Sequence, residues 1–137
     1  MGNTTLLYPA FLMMLLTFYL YGKNFFTNLK ELKKKTLSYG YFRAYQGESP
    51  EHVEVLRQTL KNQFELPIFF YFLISVCLIL NNTGKVDIAF AWIFVISRYT
   101  HCYIRLSSNY IPVRAKIFQI GVFSLIFWML YILYNIL

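Results

Sequence analysis

Residues 117–137 contain no charged side chain, and three further stretches of the chain come close to the same condition. A helix crosses the roughly 30 Å hydrocarbon layer with about 20 apolar residues, so runs of this length restrict the chain to a membrane-spanning helical fold. The runs predict spans over residues 4–21, 62–80, 87–105 and 115–137, joined by a polar loop over 22–61. The expectation is one all-α domain covering 1–137, a bundle of four transmembrane helices. With 58% hydrophobic and 14% charged residues, the chain lies well away from soluble averages. No Lys or Arg precedes the first run and no small-residue cleavage site follows it, so it is expected to be a retained span.

The second and third runs are not clean. Residues 66–80 are too few to cross unaided, so Glu65, with Asn62 beside it, must sit at or inside the membrane edge. The third run cannot cross without including Arg98 and His101. A central Arg costs about 3 kcal/mol on insertion scales, which favours a position facing protein or water.

The formal net charge of +7 does not point to nucleic acid, because topology accounts for it. Lys23, Lys30, Lys33, Lys34, Lys35, Arg43, Arg57 and Lys61 lie between the first two spans, and Arg105, Arg114 and Lys116 between the last two, whereas only Lys85 lies between the second and third. By the positive-inside rule both basic loops face the cytoplasm and both termini face out. The Lys33–Lys35 run and the aromatic stretch over 39–45 suit simple anchoring to anionic headgroups, with Arg43 in reserve as an anion ligand. Cys77 and Cys102 fall within spans and do not form a disulfide framework. Asn3-Thr4-Thr5 matches the glycosylation pattern, a motif too short to decide anything.

Ser49-Pro50-Glu51 reads as a helix start, with Ser49 as N-cap and Pro50 at the first helical position. A helix over 50–80 follows, kinked where Pro67 removes the bond to the Gln63 carbonyl. At 100° per residue, Arg57, Lys61, Asn62 and Glu65 share an arc of roughly 140°, and Arg98, His101, Cys102 and Arg105 one of roughly 100°. Asn109 joins the second set if that helix extends so far. Both faces lie at the cytoplasmic boundary. One Glu faces several cations there, a surplus that is costly near low dielectric unless an anion, a headgroup or water enters. The residues alone leave two readings open: a small-anion site, or a structural network with headgroup contacts. No set of His and Cys has metal-ligand spacing, and the adjacent His101 and Cys102 diverge too far for a nucleophile and its base.

Arg57-Gln-Thr-Leu-Lys-Asn62-Gln-Phe-Glu65-Leu-Pro67 resembles the second-helix signature of the MAPEG family, the membrane-associated proteins of eicosanoid and glutathione metabolism. Arg98-Tyr-Thr-His101, Asn109 and Arg114-Ala-Lys-Ile-Phe118-Gln-Ile-Gly121 resemble its third-to-fourth-helix region, and Asn62-Gln-Phe-Glu65-Leu-Pro67-Ile-Phe-Phe-Tyr71 is similar to its uncharacterised bacterial branch. The resemblance implies a homotrimer in the bacterial inner membrane that binds glutathione between subunits. It implies a glutathione transferase or peroxidase acting on a lipophilic electrophile from the bilayer. Arg57, Asn62, Glu65, Arg98, His101 and Arg105 would hold glutathione, and Arg114 would stabilise its thiolate, since a nearby cation lowers a thiol pKa. Two positions depart from the family pattern: Arg105 stands where many active members carry Tyr, and Gln58 where an Arg is frequent. The alternative is a non-catalytic member whose cations bind headgroups or stabilise the trimer. A transporter is disfavoured because no paired broken helices or repeated halves occur.

Overall fold

The computed structural model describes residues 3–137; the side chain of Asn3, in the Asn3-Thr4-Thr5 tripeptide, lies outside the described residues. A short 3-10 turn (Asn3–Leu6) leads into α1 (Leu7–Lys33). There follow α2 (Tyr41–Ala44), α3 (Glu51–Lys61), a 3-10 turn (Asn62–Phe64), α4 (Leu66–Ile79), α5 (Lys85–Leu106) and α6 (Ile111–Ile136). No strand occurs among the described residues. Among the described residues, three helical stretches are long and apolar enough to cross a membrane: Thr4–Lys33, Glu51–Ile79 and Ile111–Ile136. The fourth long helix, α5, carries Lys85, Asp87, Arg98 and Arg105 and packs most extensively on α6.

The helices meet through three successive apolar clusters. The largest gathers Met13, Phe70, Phe94 and Trp128, with the Phe70 and Phe94 rings stacked at 4.9 Å. A second joins Leu16 and Leu20 of α1 to Leu56 and Leu60 of α3 and Cys102 of α5. A third packs Leu37 and Tyr41 under Val53. Gly121 lets α5 and α6 approach closely, since a Cβ there would stand 2.8 Å from Ser97 Oγ. Two helix ends close in the same way. Lys35 (φ 60°) after α1 and Asn81 (φ 51°) after α4 are left-handed, and the amides around them return to Leu32 and Glu31, and to Leu78 and Cys77. This double closure satisfies carbonyls that a helix end otherwise leaves without donors.

Four local expectations are corrected. The loop over 22–61 begins later than expected, because α1 continues to Lys33, while α3 over 51–61 occupies the helix expected from residue 50. Ser49 is not an N-cap: Pro50 is, with ψ 141°, and the Ser49 hydroxyl donates to Glu54 Oε1 at 2.6 Å. A charge-assisted bond is about twice as strong as a neutral one, so the carboxylate captures the hydroxyl. The helix expected over 50–80 is broken rather than kinked, with Glu65 at φ −101°, ψ −92° between the 3-10 turn and α4. Pro67 offers no N–H to the Gln63 carbonyl, and its ring crowds the preceding turn. Asn109 lies beyond α5 in the left-handed region (φ 50°), so the helix does not carry it onto the Arg98 face.

Candidate functional site

The break between α3 and α4 brings polar groups against the charged end of α5. Arg98 is 1% exposed and His101 3%. Arg98 Nη2 donates to the Asn62 carbonyl at 3.3 Å, while its Nε and Nη1, and His101 Nδ1, have no hydrogen-bond partner. Phe118 of α6 closes one side, 5.7 Å from the Arg98 guanidinium and 5.5 Å from the His101 ring. Among the described residues, no carboxylate lies within salt-bridge distance of Arg98, Arg105 or Arg114.

Around this buried pair runs a polar chain. With its amide turned to suit its neighbours, Asn62 donates to Glu65 Oε2 at 3.3 Å and accepts from Arg105 Nη1 at 3.2 Å. Arg105 Nη2 donates to Gln58 Oε1 at 2.6 Å. Arg114, half-buried at the start of α6, donates to Asn109 Oδ1. A cleft of about 320 Å³ is lined by Asn62, His101, Arg105, Arg114, Phe118 and Gln119.

The structure thus brings together Asn62, Glu65, Arg98, His101, Arg105 and Arg114, of the seven residues singled out from sequence. Arg57 is engaged elsewhere: its guanidinium donates to Glu54 Oε2 at 2.8 and 3.3 Å and lies 4.9 Å over the Tyr45 ring. Glu54 also accepts from the Tyr41 hydroxyl. Its four donors anchor the loop before α3. Among the described residues no group of three or more His, Cys, Asp or Glu could hold a metal.

Two polar groups had not been singled out. Buried Gln63 donates to Cys102 Sγ at 3.4 Å and leaves Oε1 without a partner. At the opposite end of the bundle, Asp87 is 3% exposed and accepts from Trp128 Nε1 at 2.8 Å and the Gly84 amide at 2.7 Å. The spacing Gly84-x-x-Asp87 is an N-cap with an acid at N3, the signal that could have found it.

A cationic cleft fed by α3, α5 and α6, with its Asn and Glu at a broken second helix, agrees with a family model described as the MAPEG family, which matches residues 6–134. The chain belongs to the MAPEG family. It is therefore an integral membrane protein of a family that includes glutathione-dependent enzymes and non-catalytic members. No curated protein and no solved structure gives a match to the chain. Within this MAPEG chain, the cations bounding the cleft have no carboxylate within salt-bridge distance, and Glu65 reaches Arg105 only through Asn62.

Proposed function

We propose that this MAPEG protein binds glutathione in the Asn62–Arg105–Arg114 cleft and presents its thiolate to lipophilic electrophiles arriving from the bilayer, as a transferase or peroxidase. The observation that carries the reading is Arg98, a buried guanidinium with two unpartnered nitrogens and no carboxylate within salt-bridge distance. A buried unpaired charge is costly, and glutathione has the two carboxylates and one ammonium that the site lacks. Arginines grip carboxylates by paired hydrogen bonds. Arg98 and Arg105 are the grips on this reading, Asn62 a polar contact, and Glu65, exposed beside Asn62, the acceptor for the ammonium. His101 offers a free ring nitrogen to the same cleft. Arg57, occupied by Glu54, contributes only if it exchanges that partner.

Glutathione supplies the sulfur nucleophile; the protein's part is position and charge. Arg114, whose cation lines the cleft, favours the ionised thiol there. In this reading α5 is the fourth span, both termini face away from the cytoplasm, and a neighbouring subunit of a trimer in the inner membrane covers the open side of the cleft. A second reading, a non-catalytic member whose cations hold headgroups or the trimer, is favoured by the bond from Arg105 to Gln58, which occupies a cation where active members carry Tyr.

The test is glutathione binding to purified protein in detergent, with the ultraviolet band of the thiolate followed across pH. Saturable binding with a thiol pKa below that of free glutathione supports the enzyme. Arg114→Ala is expected to impair thiolate formation more than binding, and Glu65→Gln chiefly binding. No binding at millimolar glutathione leaves the non-catalytic reading.

A further inference from the structure

A second cleft lies on the other side of α5. The Tyr99 hydroxyl donates to the Leu12 carbonyl at 2.7 Å, pinning α5 to α1 at that level. Toward their C-terminal ends the two helices part and leave a groove of about 700 Å³. Leu15, Leu16, Tyr19 and Leu20 line it from α1, and Tyr103 and Leu106 from α5. Buried Cys102 forms its floor, backed by the cluster of Leu56 and Leu60. Leu15, Tyr19 and Lys23 are spaced by four, so the groove follows one face of α1 for about 12 Å.

At its end the groove changes character. It shares Lys23, Leu106 and Ser107 with a hollow of about 400 Å³ whose other walls include Glu51, His52, Arg105 and Asn109. The Lys23 ammonium is held 5.8 Å from the Tyr19 ring centroid, over the mouth. Arg105 reaches the same mouth with an unpartnered, buried Nε. Two cations, exposed Lys23 and half-buried Arg105, face one acid, Glu51, with His52 beside them.

We propose that this groove binds an anionic phospholipid, with acyl chain packed between α1 and α5 and phosphate at the Lys23 and Arg105 mouth. The order of the lining, hydrocarbon-like at depth and cationic at the end, is that of an anionic amphiphile standing along the membrane normal. The volume spread over that length gives a mean cross-section of about 60 Å², too little to enclose a helix about 10–12 Å across with its side chains, so a second copy would lie along the open side rather than fill the groove. The apolar lining cannot satisfy the backbone of an extended peptide, but an acyl chain asks for nothing polar. Arg105 borders both clefts, whereas Lys23 and the apolar lining belong to this groove alone, so the acyl-chain seat and the Lys23 contact stand whether or not glutathione binds.

The experiment is native mass spectrometry of the full-length protein in mild detergent, with phosphatidylglycerol and phosphatidylcholine of identical acyl chains. Retention of phosphatidylglycerol over phosphatidylcholine is expected. Lys23→Glu should reduce that preference by at least about fivefold, since a cation near an anionic lipid surface contributes about 1 kcal/mol, and Lys23→Arg should preserve it. Leu15→Trp, at an exposed position, should lower retention of both lipids. Equal retention of the two headgroups by the unaltered protein overturns the proposal, as does unchanged retention in Leu15→Trp. Efficient crosslinking between chains of a Leu15→Cys, Tyr103→Cys variant overturns it too, because a second copy then covers the groove. Glutathione binding followed in the same samples should be unchanged in Lys23→Glu.

Discussion

Arg105 donates a 2.6 Å hydrogen bond from Nη2 to Gln58 Oε1, joining α5 to α3 across the mouth of the cationic cleft. With Asn62 accepting from Nη1, the bond fixes the plane of the guanidinium. Gln58→Leu is expected to lower glutathione affinity by about fivefold, the value of one such bond near 1 kcal/mol, with little change in thermal stability because the bond is exposed. Titration calorimetry beside thermal unfolding checks this. Unchanged affinity would place Arg105 outside the ligand site.

On the proposed reading, Arg98 serves a ligand at a cost to the fold. Arg98→Met should abolish glutathione binding while raising stability by about 1 kcal/mol or more, because a buried charge without a carboxylate is replaced by an apolar side chain of similar length. Denaturation in detergent measures the second effect. Loss of stability instead would make Arg98 a structural residue.

Asp87 makes the opposite prediction. Its carboxylate satisfies the Trp128 indole N–H, the Gly84 amide and, more weakly, the Cys77 thiol, so Asp87→Ala orphans these donors and should cost about 2–4 kcal/mol. Trp128→Phe keeps most of the packing and should cost less. Tryptophan fluorescence during unfolding would separate the two variants.

Gly121 and Ser97 form a testable pair. A Cβ at residue 121 would stand 2.8 Å from Ser97 Oγ, so Gly121→Ala should destabilise by about 1–3 kcal/mol, and Ser97→Ala should recover much of that loss in a double-mutant cycle. Simple additivity would show that the helices relax apart.

The loop before α3 should loosen in alkali. Burial, and then the Glu54 carboxylate it bonds, raise the Tyr41 phenol above its ordinary value. Because the folded pKa is raised, the contribution to stability is full below the unfolded value near 10 and is lost as pH climbs through the folded one. Proteolysis between residues 34 and 50 should accelerate over that range. Tyr41→Phe should accelerate it by about fivefold at neutral pH, for about 1 kcal/mol lost, and remove the alkaline step.

The sequence made the helical class and most of the cleft legible because both rest on periodicity: long apolar runs, and charges that return to one face every third or fourth residue. The same reasoning placed Arg57 with the cluster, since spacing reports a shared face but not which partner a long side chain takes, and Glu54 three residues away takes this one. Gln63 was illegible for a related reason: its burial depends on the 3-10 turn, which shifts residues 62–64 off the α-helical wheel. Asp87 carried a local signal, but its bond to Trp128 joins residues far apart in the chain and no local pattern announces it.

The carbonyl that receives Arg98 belongs to Asn62, and Asn62 precedes Arg98 in the chain. During synthesis the acceptor therefore exists before its donor. An arginine entering hydrocarbon alone meets no compensating group, whereas this one can arrive beside an interruption already in place, where the backbone is not fully consumed by a regular helix. Restoring a continuous helix, as Pro67→Ala would tend to do, thus bears on how α5 is delivered into the bilayer as well as on the finished cleft. A defect of this kind would appear in the yield of membrane-inserted protein before it appeared in any assay of the purified molecule.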